Sequence, residues 1–168
     1  AINLATISYM TTSGLGAAAT IRVGNFLGQR DQKNLRAAGI TMIIMAIIIM
    51  AAWALLFIFG RYFLPSLYID DDAVIQLTSS LLIIAAFFQL SDGIQVVTAG
   101  ALRGLQDVKV PSLLIFVAYW IIALPMGYVL AFPLNLKASG IWIGLFIGLT
   151  LTASAMVVRF HRLSKRVL

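Results

Sequence analysis

The chain has 168 residues, of which 61% are hydrophobic and only 11% charged. Soluble domains carry about a quarter charged residues, so this composition excludes an ordinary water-soluble fold. With no Cys, no Glu and a single His, it also excludes a disulfide framework, thiolate metal sites and most acid–base chemistry. The net charge of +6 would point to nucleic acid in a soluble protein. Here the basic residues flank long apolar runs, so they report membrane topology and no nucleic-acid partner is expected.

The chain opens at Ala1 in an apolar run, without Met, a basic n-region or a cleavage site. It therefore reads as a C-terminal piece of something longer rather than as a signal peptide. A membrane-crossing helix needs about 20 apolar residues. Residues 1–21, 37–60, 110–136 and 138–158 carry no charge, and 73–102 carry only Asp92. These stretches predict five spans, over about 1–21, 37–60, 74–102, 111–133 and 139–159. Backbone groups in lipid must be satisfied within the segment, so the spans are expected to be helices. The predicted class is an all-α integral membrane protein.

The connections set the orientation. Arg22, Arg30, Lys33 and Arg36 precede or enter the second span; Arg103 and Lys109 lie between the third and fourth; Arg159, Arg162, Lys165 and Arg166 follow the fifth. These three regions alternate onto one side, leaving Arg61, Lys137 and the triplet Asp70–Asp72 on the other. The excess of basic residues places the C-terminus in the cytoplasm and the N-terminus of this chain outside. The basic C-terminal tail, in which His161 reads as solvated, is expected to meet anionic headgroups of membrane lipids.

Some features read as architecture. Gly140, Gly144 and Gly148 share one helix face, and Gly24/Gly28 and Gly100/Gly104 repeat the spacing, which predicts close helix–helix packing. Pro125, in 123-ALPMGY-128, should kink or locally open its helix. Asp70–Asp72 precede the third span and read as a helix N-cap. An aspartate cluster can also hold Mg²⁺ and a diphosphate, as in an intramembrane prenyltransferase, but the second cluster such an enzyme wants is lacking.

Asp92, within 87-FFQLSDGIQVV-97, is the outstanding candidate. A carboxylate at mid-membrane costs about 2.5–3.5 kcal/mol on insertion scales. It usually faces a bundle interior or a watery cavity. Ser91, Gln95 and Thr98 lie at helical spacings beside it and Gln89 joins their edge, so a polar stripe is expected. Burial disfavours the charged carboxylate, and the site then prefers a positive occupant: a proton, a sodium ion or an organic cation. Two such occupants compete for one charge, and access from both sides makes that competition antiport. Tyr119 and Trp120, with Thr98, are candidate cavity-lining residues, the aromatic pair by stacking on an aromatic cation.

Four stretches taken in series carry a resemblance. They are 19-ATIRVGNFLGQRD-31, 88-FQLSDGIQVVTAGALRGLQDVKVP-111, 118-AYWIIALPMGY-128 and 139-SGIWIGLFIGL-149. In this order they resemble the multidrug and toxic compound extrusion (MATE) family, near its NorM branch, over about residues 1–162. The resemblance implies a twelve-helix fold of two six-helix bundles, with these five spans as helices eight to twelve, most of the C-terminal bundle. The missing N-terminal helices would then be partners within the same protein. It also implies a secondary antiporter of a bacterial inner membrane, not an enzyme and without a cofactor. Such a protein exports cationic, often aromatic, small molecules in exchange for Na⁺ or H⁺. On that resemblance Asp92 matches the coupling carboxylate and is the sodium ligand if sodium is used; Gln89, Ser91 and Gln95 support it and Phe88 flanks it. NorM relatives often carry a Tyr where this chain has Phe88, so one possible oxygen ligand is missing, which tilts the expected ion slightly towards H⁺. A lipid-linked glycan flippase of the same superfamily is the alternative, disfavoured because no Lys or Arg lies inside a span.

Overall fold

A computed structural model describes residues 2–167. It is built from helices: α1 (Ile2–Gly28), α2 (Gln32–Phe59), the single turn α3 (Phe63–Ser66), α4 (Asp72–Gly104), α5 (Lys109–Val117), α6 (Leu124–Ala131) and α7 (Lys137–Leu163). Between α5 and α6 the chain forms a π-helical segment, Ala118–Ala123, so α5 to α6 is one interrupted column. Five long columns result, and among the described residues there is no strand. Four of them run from the matching charge-free stretch into its charged flanks, whereas α5–α6 starts at Lys109 and stops at Ala131, short of the end of its stretch.

Four of the columns, α2, α4, α5–α6 and α7, are long and apolar enough to cross a membrane; α1 is not one of them. This departs from the expectation of five equivalent spans. The reason is composition: 6-TISYMTTSG-14 sets hydroxyls and a glycine among the apolar residues of α1. Some of those hydroxyls are turned inward and bonded back to the helix. Ser8 and Thr12 are buried, and their Oγ and Oγ1 atoms donate to the carbonyls of Ala5 and Tyr9.

The molecule is apolar outside and partly polar inside. Ile48, Phe59 and Leu113 are well exposed, whereas Thr12, Gln89, Thr98 and Thr152 are buried. Water would drive the reverse arrangement; a hydrocarbon solvent requires this one. Helix α4 is the central column, packed against α1, α2 and α7. Towards the basic end, Ala19 and Val23 of α1, Met42 and Ala46 of α2, Ala101 of α4 and Phe160 of α7 form one cluster. Towards the other end, Leu4, Ala54, Phe57, Leu82 and Ala86 form a second.

The glycine spacings become two seams. A Cβ built on Gly144 would lie 2.5 Å from the Cα of Gly127 on α6, and one on Gly140 would lie 2.5 Å from the nitrogen of Ala131. At Gly148 it would meet the Cβ of Ala123 at 2.7 Å. On the other seam Gly100 of α4 lies against the Gly16 carbonyl of α1, and Gly104 against Thr20. Only glycine lets backbones approach so closely. Gly28 is the exception, since nothing lies within 4 Å of its added Cβ; it closes a helix end and packs no seam.

Local signals also decide the helix ends. Asp71 is the N-cap of α4, its carboxylate accepting from the backbone N–H of Ala73 at 2.9 Å, so the acidic triplet serves as the expected cap. Pro125 has no N–H for the Ile121 carbonyl one turn earlier. The helix opens into its π turn immediately before it, a local opening of the predicted kind. The three basic regions do gather at one end: the Arg159 side chain pairs with Asp107 of the α4–α5 turn, and Gln32 Nε2 donates to the Ser164 carbonyl at 3.0 Å.

Candidate functional site

Asp92 sits mid-way along α4, half-buried. It lies on the wall of two cavities. One, of about 480 Å³, runs towards the basic end between α1, α4 and the α5–π column, and is lined by Tyr9, Ser13, Asp92, Gln95, Arg103 and Tyr119 among others. The other, of about 400 Å³, runs towards the opposite end between α1, α4 and α7, and is lined by Thr6, Tyr9, Phe88, Asp92, Trp142 and Leu145 among others. Asp92 and Tyr9 belong to both.

The two spaces differ in chemistry. The first collects hydroxyls, an amide and, at its far end, a guanidinium. Arg103 lies about 16 Å along the helix from Asp92, so a carboxylate stands at one end of this cavity and a cation at the other. The second is mainly hydrocarbon and aromatic. Phe88 meets Trp142 edge to face with ring centroids 5.4 Å apart, the preferred geometry for neighbouring rings. Among the described residues, no hydrogen bond or ion pair engages Asp92. A mid-span carboxylate of this kind, with an aromatic wall on one side and hydroxyls on the other, can hold a cation and take part of its hydration shell's place.

The polar stripe expected around Asp92 divides three ways. Gln95 and Tyr119 line the cavity with Asp92, and Phe88 lines the neighbouring one. Ser91 turns to α7, where its Oγ lies 2.8 Å from Thr150 Oγ1. Thr150 donates its own proton to the Phe146 carbonyl, so Ser91 is the donor of that pair. It ties α4 to α7 and lines neither cavity. Gln89 is 1% exposed and faces the α1–α2 side, between Ala86 and Gly93, whose neighbours are Met50 and Thr12. It too lines neither cavity, and neither its Nε2 nor its Oε1 has a partner among the described residues. Thr98 is fully buried, also outside both spaces. Trp120 is 62% exposed and lines a separate surface groove with Pro125 and Tyr128.

Helix geometry accounts for this division. At about 100° per residue, Gln89 lies roughly 60° to one side of Asp92 and Ser91 roughly 100° to the other. Phe88, Gln95 and Arg103 fall between them, from about 60° on the Ser91 side to about 20° on the Gln89 side. The side chains of Gln89 and Ser91, expected to support the carboxylate, thus lie against flanking helices and outside both cavities in this structure. The sequence reading missed Tyr9, Ser13, Arg103 and Trp142. For the first two a signal existed, the run of hydroxyls that makes α1 less apolar than its neighbours.

Comparison with known proteins agrees with this architecture. The MatE family model matches residues 1–129. A probable multidrug resistance protein NorM of Rhodopseudomonas palustris is 42% identical over 169 residues, covering 98% of this chain and 36% of that relative. A second, of Agrobacterium fabrum, is 43% identical over 171 residues, covering 99% and 37%. The chain thus spans a little over a third of the length of these curated relatives. Among solved structures, the eukaryotic MATE transporter AtDTX14 superposes with a TM-score of 0.88 at 21% identity, over 99% of this chain and 39% of that one. An inward-facing multidrug resistance MATE transporter of the MOP superfamily gives 0.82 at 19% identity. At such identities the superpositions speak for the fold, and the family match and the NorM relatives speak for descent: the chain belongs to the MATE family of transporters.

Proposed function

We propose that this chain is the cation-coupling part of a multidrug efflux antiporter, in which cationic, often aromatic, compounds leave the cell in exchange for Na⁺ or H⁺. The observation that carries the reading is the position of Asp92 on the wall common to two cavities that run towards opposite ends of the bundle. A single carboxylate neutralises one positive charge, so an incoming ion and an outgoing cationic compound displace each other. The aromatic pair Phe88–Trp142 offers ring faces to a flat cation, and the hydroxyls of Tyr9, Ser13 and Tyr119 offer oxygens to a hydrated ion. Phe88 contributes no oxygen, which favours a proton over sodium.

Alternating access would come from rocking of one helical bundle against another. The relatives' names and the basic end of this bundle support a bacterial inner membrane, with the C-terminus in the cytoplasm. Asp92→Asn in the complete protein is expected to abolish ion-coupled accumulation of a fluorescent cationic dye by everted vesicles, in which the cytoplasmic face is outward, while membrane insertion stays normal. Efflux at the wild-type rate by a well-expressed Asp92→Asn protein overturns the assignment.

A further inference from the structure

Apart from the Asp92 cavities, a groove of about 560 Å³ runs along the last turns of α7 and the turn after it, lined by residues that include Ala155, Val158, Arg159, Arg162, Leu163 and Arg166. Arg159 and Arg162 lie about one turn apart on α7, and Arg166 follows in the turn just past the helix end at Leu163. The groove has two unlike halves. Ala155 and Val158 belong to the apolar part of α7, and Val158 is 48% exposed. The guanidiniums lie beyond them, at the basic end of the bundle.

The three cations are not equivalent. Arg159 is engaged by Asp107, whose side chain is only 12% exposed; this pairing cancels one charge and holds that guanidinium against the wall. Arg162 and Arg166 are exposed, and no carboxylate of the described residues pairs with either. The bond from Gln32 to the Ser164 carbonyl anchors this end of α7 to α2, so Arg162 stands on a braced helix end and Arg166 in the turn just beyond it. Planar guanidiniums match phosphate oxygens two at a time.

An apolar trough that ends in two free guanidiniums at the membrane edge fits an amphiphile with an acyl chain and an anionic head. A soluble phosphate would satisfy the guanidiniums and leave Ala155 and Val158 uncovered. The geometry points to Arg162 and Arg166 as a headgroup site for an anionic phospholipid of the surrounding membrane, its acyl chain lying along Ala155 and Val158.

The test is native mass spectrometry of the complete protein in detergent, titrated with dioleoyl phosphatidylglycerol and, separately, dioleoyl phosphatidylcholine. Wild type is expected to retain phosphatidylglycerol over phosphatidylcholine. Each guanidinium near an anionic surface is worth about fivefold in affinity. Arg162→Gln with Arg166→Gln should therefore weaken phosphatidylglycerol about 25-fold and leave phosphatidylcholine unchanged. Arg30→Gln with Lys33→Gln removes two charges from the same end outside the groove and should leave phosphatidylglycerol binding as it was. Three results overturn the proposal: the arginine double variant binding phosphatidylglycerol like wild type, the control pair weakening it equally, or inorganic phosphate displacing the lipid. If the double variant does not purify folded, Arg166→Gln alone decides: a loss of about fivefold supports the site, and unchanged binding refutes it.

Discussion

Replacing Gly144 by Ala tests whether the α6–α7 seam is as close as the structure has it. The new Cβ would lie 2.5 Å from both the Cα and the nitrogen of Gly127, and 2.8 Å from the Ala123 carbonyl oxygen. Carbon atoms settle at about 3.5–4.0 Å, so the shortfall is about 1 Å. The obstructing atoms are backbone and cannot rotate away, so α7 must lift off α6. That lift also loosens Gly140 against Ala131 and Gly148 against Ala123, one turn to either side. Overpacking of this kind costs about 1–3 kcal/mol, and the obstruction by backbone places it in the upper part of that range. The gain in helix propensity from Gly to Ala offsets about 1 kcal/mol, leaving a net loss of about 1–2 kcal/mol. In a thermal melt of the detergent-solubilised protein, followed by tryptophan fluorescence, the midpoint should fall on the order of 5 °C. Gly14→Ala, where nothing lies within 4 Å of the added carbon, is the control and should not lower it. A Gly144→Ala protein that melts with the Gly14→Ala control refutes the close seam.

Two further outcomes follow from the helix interiors and ends. Asp71→Ala removes the carboxylate that accepts from Ala73 and should cost about 1 kcal/mol, seen as about fivefold faster amide exchange confined to the first turn of α4; exchange at the wild-type rate there would show that the cap contributes nothing. Gln89→Met removes two buried, unpartnered amide atoms at similar volume and should stabilise the fold by about 1–2 kcal/mol, whereas a lowered melting midpoint would mean that the amide is satisfied.

Much of the fold was legible because lipid imposes few solutions. Uncharged stretches of span length must be helices, and the uneven distribution of arginine and lysine groups their ends, as the Asp107–Arg159 and Gln32–Ser164 contacts bear out. The Asp70–Asp72 cap, the break before Pro125 and the Gly140–Gly148 seam are short-range chemistry, written within a few residues. The surroundings of Asp92 were less legible. Its polar neighbours occupy three sides of α4, and which side meets a void depends on helices far away in sequence. Thr150 claims Ser91 from 59 residues away, and Gly93, against Met50 and Thr12, turns the Gln89 side towards α1 and α2. Trp120 lines a groove apart from Asp92 for a related reason. It lies within the π turn, where the extra residue shifts the angular phase that a regular helix would give.

The two glycine seams, alike in their spacing, have opposite mechanical characters. Between α1 and α4, Thr20 Oγ1 reaches across to the Gly100 carbonyl at 2.9 Å, so axial travel there breaks a bond and the seam acts as a clasp. Between α6 and α7, Gly127 faces Gly144, and among the described residues no side-chain hydrogen bond crosses. Backbone lies mostly on backbone, with the Ala123 methyl seated at Gly148, so that seam is held by packing alone. A column broken by a π turn and held to α7 by packing alone breaks no side-chain hydrogen bond if it moves along α7. Tyr119 rides on that column, and the hydroxyl side of the Asp92 cavity would shift with it while the clasped α1–α4 wall stays in place.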